Sequence, residues 1–146
     1  MRIEDFATKY KKDIRLVKDW INKGFIPGAS LENNYIPDSA RIPDTKIRAR
    51  KGESILKAIL KACNNQYGIS PAIFKLSQEH FDALLANLEK EGMLFSFESD
   101  GIRYYDITFK GLESLKKYNK SEWIELGTLL VNLTPTLIQL FQVLPR

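Results

Sequence analysis

The sequence predicts a mainly α chain with small β-hairpin wings, an α+β protein. The arrangement expected is two tandem winged helix-turn-helix units followed by a leucine-rich terminal helix. Three observations carry this. Apolar residues recur at helical spacing in short segments punctuated by turn residues. Twice a helical segment ends at a glycine and gives way to a short β-prone return, once around Pro27-Gly28 and once around Asp100-Gly101. Near the C-terminus, leucines repeat at spacings of 4-3-4-3-4. The boundaries expected are 1–43 for the first unit, 44–52 for a basic linker, 53–119 for the second unit and 120–146 for the terminal helix.

Charge separates the two units. The chain has 146 residues, 44% of them hydrophobic, and a net charge of +4. Residues 1–52 hold 12 Lys/Arg against 7 Asp/Glu, whereas residues 53–119 hold 8 against 9. The positive excess therefore sits in the first third, which fits a polyanion partner and a solvated basic surface equally well. The single cysteine, Cys63, excludes an internal disulfide and lies in an apolar helical stripe, so a buried structural thiol is expected. Arg2, Glu4 and Asp5 leave no apolar leader at the N-terminus, and a cytoplasmic protein is the expectation.

In the first unit, Ile3, Phe6, Ala7 and Tyr10 share one face of a short helix. Lys11-Lys12 break the pattern, and Asp13 is placed to cap the next helix. There Ile14, Val17 and Ile21 form the expected buried stripe, with Trp20 at its edge, and Arg15, Lys18 and Asp19 face outward. Gly24 ends the helix. Phe25-Ile26-Pro27 leaves as an extended strand, Leu31-Glu32-Asn33-Asn34 forms a polar tip, and Tyr35-Ile36-Pro37 returns. Two short helices joined by a tight polar turn make a helix-turn-helix, whose second helix enters the DNA major groove.

The run W-I-N-K-G-F-I-P-G-A followed by Y-I-P-D-S-A-R-I-P resembles the MerR/excisionase type of winged helix-turn-helix over about residues 1–50. The resemblance implies double-stranded DNA as partner. It implies contacts from Lys11, Lys12, Arg15 and Lys18 on the side of the reading helix, and from Asn33, Asn34 and Tyr35 on the wing. It also carries an impression of phage or mobile-element origin. The wing tip departs from the pattern, with Glu32 and no basic residue where members often place one.

Residues 38–52 read as a linker candidate, with prolines at 37 and 43 and Gly52 closing a basic run. Arg48, Arg50 and Lys51 in that run would add phosphate attraction, or simply solvate a tether. In the second unit, Ile55, Leu56, Ile59, Leu60 and Cys63 mark a helix. A brief helix is expected at 72–76. Ser77 is placed to cap a third helix carrying Phe81, Leu84, Leu85 and Leu88, which stops at Gly92. Residues 93–97 and 102–107 form a hairpin around Asp100-Gly101, and Thr108 can cap a last helix. The run from Phe81 to Leu115 resembles winged-helix domains of phage and bacterial regulators. Its would-be reading helix exposes Gln78, Glu79, Asp82, Glu89 and Glu91, and its wing tip Glu98 and Asp100, so phosphates would be repelled. A protein partner or a spacing role suits this unit better than groove binding.

Leu126, Leu130, Leu133, Leu137, Leu140 and Leu144 fall within about 40° of one line on a helix. Phe141 flanks the seam, while Thr128, Asn132, Pro135, Gln139 and Gln142 take the opposite side. That sorting argues against a membrane span. The seam either folds back on its own chain or joins two copies, and a homodimer suits the two half-sites of a helix-turn-helix operator.

One histidine, His80, and one cysteine cannot build a structural zinc site or an evident catalytic triad, and no phosphate-cradling glycine loop is present. The reading is a DNA-binding regulator or excisionase-like accessory factor without cofactor or catalysis. The alternative is a protein-binding inhibitor or adaptor that keeps the folds, for example an anti-defence phage protein.

Overall fold

The computed structural model describes residues 1–44 and 55–117. Its elements are α1 (Ile3–Lys9), α2 (Ile14–Asn22), α3 (Ile55–Asn64), α4 (Pro71–Phe74), α5 (Gln78–Lys90), β1 (Leu94–Ser99), β2 (Ile102–Ile107) and α6 (Phe109–Lys117). β1 and β2 form a two-stranded antiparallel sheet with Leu94 opposite Ile107 and Ser99 opposite Ile102. Helices and one hairpin make this an α+β arrangement. The expected linker from 45 onward, with Arg48, Arg50 and Lys51, and the leucine seam at 126–144 lie outside the described residues. Among the described residues no helix is long and apolar enough to cross a membrane.

Local chemistry sets the helix ends. The Asp13 carboxylate accepts the Arg15 N–H at 2.8 Å, and Ser77 Oγ accepts the His80 N–H at 3.1 Å, so each of α2 and α5 starts on a side-chain cap. Thr108 Oγ1 accepts the Gly111 N–H at 3.0 Å and starts α6 in the same way. Gly24 and Gly92 follow α2 and α5 at φ of +77° and +75°, the left-handed conformation a helix stop requires.

One core is built on α1 and α2. Ile3, Phe6, Val17, Trp20, Phe25, Ile26 and Ile36 are buried together. Here the packing corrects the expected stripe of α2. Val17 and Trp20 are its buried residues, whereas Ile14 is 39% exposed. Trp20 sits inward because its large ring fills the space beside Phe6 and Phe25, and burying such a side chain is worth about 2–3 kcal/mol. The expected first wing is also corrected. Residues 25–27 form no strand, and the return is a single antiparallel bridge between Ser30 and Tyr35. Ile36 is drawn instead to the chain start, exchanging backbone bonds with Met1 at 2.7 and 2.8 Å.

A second core gathers Leu56, Ile59, Leu60 and Cys63 of α3 with Phe81, Leu84, Leu85 and Leu88 of α5 and Leu94 of β1. Burial pushes the Cys63 thiol up to about 12, opposed by the nearby charge of Arg41. α4, at 71–74 where 72–76 was expected, belongs to both cores. Its Ile73 is buried in the first, and Phe74 touches each. Lys75 at φ +55° ends it.

Residues 38–43, read from sequence as the start of a linker, are pinned to the hairpin. The Ser39 N–H donates to Asp100 Oδ2 at 3.0 Å, and the Ser39 and Tyr104 hydroxyls meet at 2.8 Å. Arg41 lies over the rings of Phe97 and Tyr104 at 5.5 and 5.6 Å and donates Nη1 to the Tyr105 carbonyl at 3.1 Å. Its Nη2 stands 2.9 Å from Asp106 Oδ1, close enough to pair by charge though off the hydrogen-bond axis. Gly68 donates its N–H to the Ile42 carbonyl at 2.8 Å. Gly28 lies so close to Ile102 that a Cβ there would meet its Cδ1. The two cores are therefore joined along a seam.

Candidate nucleic-acid interface

The turn between α1 and α2 and the outer face of α2 hold the basic residues singled out from sequence. Lys11 takes a left-handed conformation, φ +54°, and Lys12 donates its N–H back to the Ala7 carbonyl, which makes the turn tight. Val17 and Trp20 point α2 inward. At about 100° per residue that places Arg15 roughly opposite them, with Lys18 and Asn22 beside it. Lys11, Lys12, Arg15 and Lys18 are all exposed. Asn22 is exposed on the same face, and its position could have been read from the helical period once Trp20 was placed inside.

The charges around these four residues matter. Other basic groups of this unit are partly neutralised: Lys23 pairs with Asp19 at 2.9 Å and Arg2 lies 3.4 Å from Asp5. Lys11, Lys12, Arg15 and Lys18 form no ion pair among the described residues. The first turn of α2 contains no acidic residue. Cations at the positive end of a helix dipole do not help the helix, by a few tenths of a kcal/mol each. The Asp13 carboxylate caps that end and offsets part of the positive field that Lys11, Lys12 and Arg15 build around it. Ile14 and Leu16, at 39% and 40% exposure, leave apolar surface at the same end.

The three residues assigned to the wing separate. Asn33 and Tyr35 are exposed at the tip. Asn34 is half-buried and bonded within the fold. Its Oδ1 accepts the Ile3 N–H at 3.1 Å, satisfying a free donor at the start of α1, and its Nδ2 donates to Glu4 at 3.1 Å. A backbone hydrogen bond, and then that Asn34 contact, hold the Glu4 carboxyl below its usual range, with Arg2 and Lys18 adding to the effect.

The hairpin tip of the second core exposes Glu98 and Asp100, as expected, and is also tied to the first unit. Asp100 at its tip is bound to Ser39, whose hydroxyl and backbone N–H hold the Asp100 carboxyl below its usual range. Glu79, Asp82, Glu91, Glu98 and Asp100 are exposed, and Glu89 is half-buried. Among the described residues, no group of three or more His, Cys, Asp or Glu side chains could hold a metal ion. The roles of Ser39 and Arg41 had no signal in the sequence, because both are polar residues whose partners lie about sixty positions away. No protein-family model, curated protein or solved structure matches the chain.

Proposed function

We propose that the chain is a double-stranded-DNA-binding regulator or accessory factor that uses α2 of an N-terminal winged helix-turn-helix as its reading helix. One observation carries this reading: four exposed cations, none ion-paired among the described residues, gather at the N-terminal end and outer face of one short helix. On random-sequence DNA each of the four neutralises one phosphate, Lys11 and Lys12 beside the groove and Arg15 and Lys18 at its mouth, from where they face into it. Arg15 is suited to a guanine edge and the exposed Ile14 and Leu16 to thymine methyls. The second unit contributes no groove contact, since α5 is acidic on its outer side and the hairpin tip is tied to Ser39.

The test is anisotropy titration of a random-sequence duplex across a salt series. Four phosphate contacts give a slope of log K against log salt near −3.6, so affinity falls about 150-fold between 50 and 200 mM. Arg15→Ala with Lys18→Ala should weaken binding at every salt and make that slope shallower by about 1.8. Wild-type binding without salt dependence, or a double variant with an unchanged slope, refutes the assignment. The rival reading, a protein-binding adaptor, is favoured by the exposed Phe95 and Phe97 on one face of β1. It predicts no duplex binding at any salt.

A further inference from the structure

The hairpin has two long edges, and the fold uses them differently. Thr108 donates its N–H to the Met93 carbonyl at 3.0 Å, which fixes the phase of the ladder. Antiparallel pairs alternate between bonded and non-bonded, so Phe95–Asp106, Phe97–Tyr104 and Ser99–Ile102 are the bonded pairs. Leu94, Ser96 and Glu98 therefore turn their backbone N–H and C=O groups away from β2, and these groups find no partner among the described residues. On β2 the corresponding edge is in use, since the outward carbonyl of Tyr105 accepts from Arg41 at 3.1 Å. The edge of β1 is left as a row of open donors and acceptors, a template for a further strand.

Beside that edge one face is apolar. Leu94 is buried in the second core, and Ser96 is half-buried with its hydroxyl on Glu89. Phe95 and Phe97 stand on the opposite face at 49% and 38% exposure, their ring centroids 6.4 Å apart. Natural sheets guard an open edge with lysine, proline or a bulge. Leu94–Ser99 has none of these. Its one charged residue is Glu98, near the tip and 4.0 Å from Arg103 of its own hairpin.

The order of residues selects the occupant. Two β1 strands can run antiparallel about a two-fold axis at Ser96, in the bonded phase that the open groups require. Phe95 then faces Phe97 of the second copy, and Phe97 faces Phe95. These are non-bonded pairs, where side chains stand closest, and four phenylalanines form one row on one face. Glu98 falls opposite Leu94, so no like charges meet. Sliding either strand by two residues leaves one phenylalanine pair in place of two. A second copy of this chain meets the pattern by symmetry alone.

We propose that β1 is a dimerisation edge: two copies join their hairpins, β1 to β1, into one four-stranded antiparallel sheet. The contact is small, so the association is reversible, with a dissociation constant between about 1 µM and 1 mM. It requires neither the leucines at 126–144 nor any contact with DNA.

Sedimentation velocity of the full chain, without DNA and across that concentration range, tests this. Wild type should pass from monomer to dimer. Ser96→Pro removes an outward N–H and none that bonds β2, so it should weaken association at least about tenfold and keep the hairpin. Phe95→Lys acts through the side chain and should do the same. Both variants should keep the wild-type circular dichroism. Disulfide trapping reads the register. Ser96→Cys sets two thiols across the axis at a Cα separation of about 5.5 Å, which a disulfide spans. Glu98→Cys leaves them about 14 Å apart, four residues along the strand. Only the first should give a linked dimer, with wild type as the blank because Cys63 is buried. A wild type that stays monomeric at every concentration overturns the proposal. So does a dimer that Ser96→Pro and Phe95→Lys both leave unchanged, the result expected if the leucines at 126–144 alone join the copies. Equal trapping at positions 96 and 98 overturns it as well.

Discussion

Replacing Arg41 by alanine should uncouple the two cores. The guanidinium lies 5.5 Å from the Phe97 ring and 5.6 Å from the Tyr104 ring, with its side chain only 16% exposed. Two such contacts contribute about 0.5–1 kcal/mol each. The charged donor to the Tyr105 carbonyl adds about 1.5 kcal/mol. The approach to Asp106 is left out of the sum, which is therefore a lower bound: its Oδ1 is buried, and removing the guanidinium 2.9 Å away leaves that charge uncompensated. The expected loss is at least about 3 kcal/mol, or a fall in the thermal midpoint on the order of 10 °C or more. Arg41→Lys keeps the charge but not the planar fork, and should recover less than half of the loss. Urea titration read by tryptophan fluorescence measures both. With Trp123 replaced by phenylalanine in every variant, Trp20 alone reports the first core, and circular dichroism reports the whole chain. In wild type the two transitions coincide, whereas in Arg41→Ala the fluorescence transition should separate from the other. A loss below about 0.5 kcal/mol, or full rescue by lysine, would mean that Arg41 behaves as a solvated surface charge.

Two further outcomes follow from packing elsewhere. Helix propensity alone makes Gly111→Ala stabilising by about 1 kcal/mol. A Cβ there would run into the Met93 carbonyl oxygen and lie 2.7 Å from Ile107 Cγ1, so the variant should instead lose about 2 kcal/mol in urea titration, and a stabilised variant refutes the close approach. The Cys63 thiol should resist a disulfide reagent at pH 8 in the native protein and react at once in urea; similar rates in both would show that it is not buried. Because its pKa rises from 9.0 unfolded to about 12 folded, its contribution is fully present below pH 9 and is lost as pH climbs toward 12.

How much could be read in advance depended on the range of the interaction. The caps at Asp13, Ser77 and Thr108, the stops at Gly24 and Gly92, and the hairpin around Asp100-Gly101 are each written within a few residues. Their donors and acceptors are neighbours along the chain, so composition suffices to locate them. The same holds for the basic turn at Lys11-Lys12. The inward face of α2 was only half legible, since a stripe centred on Ile14, Val17 and Ile21 differs by a small rotation from one centred on Val17 and Trp20. The space beside Phe6 and Phe25 settled it.

The amino-acid sequence by itself determined where helices begin and end, where the hairpin turns, and which end of the molecule is positive. Only the tertiary structure decided what the polar side chains do. Asn34 shows no sign in the sequence that its oxygen accepts the Ile3 N–H thirty-one positions away. Arg41 and Ser39 look like tether residues until the hairpin is laid against them. A polar group carries no sign of its partner, because solvent satisfies it equally well in an unfolded chain; the partner is chosen when distant segments pack and water leaves.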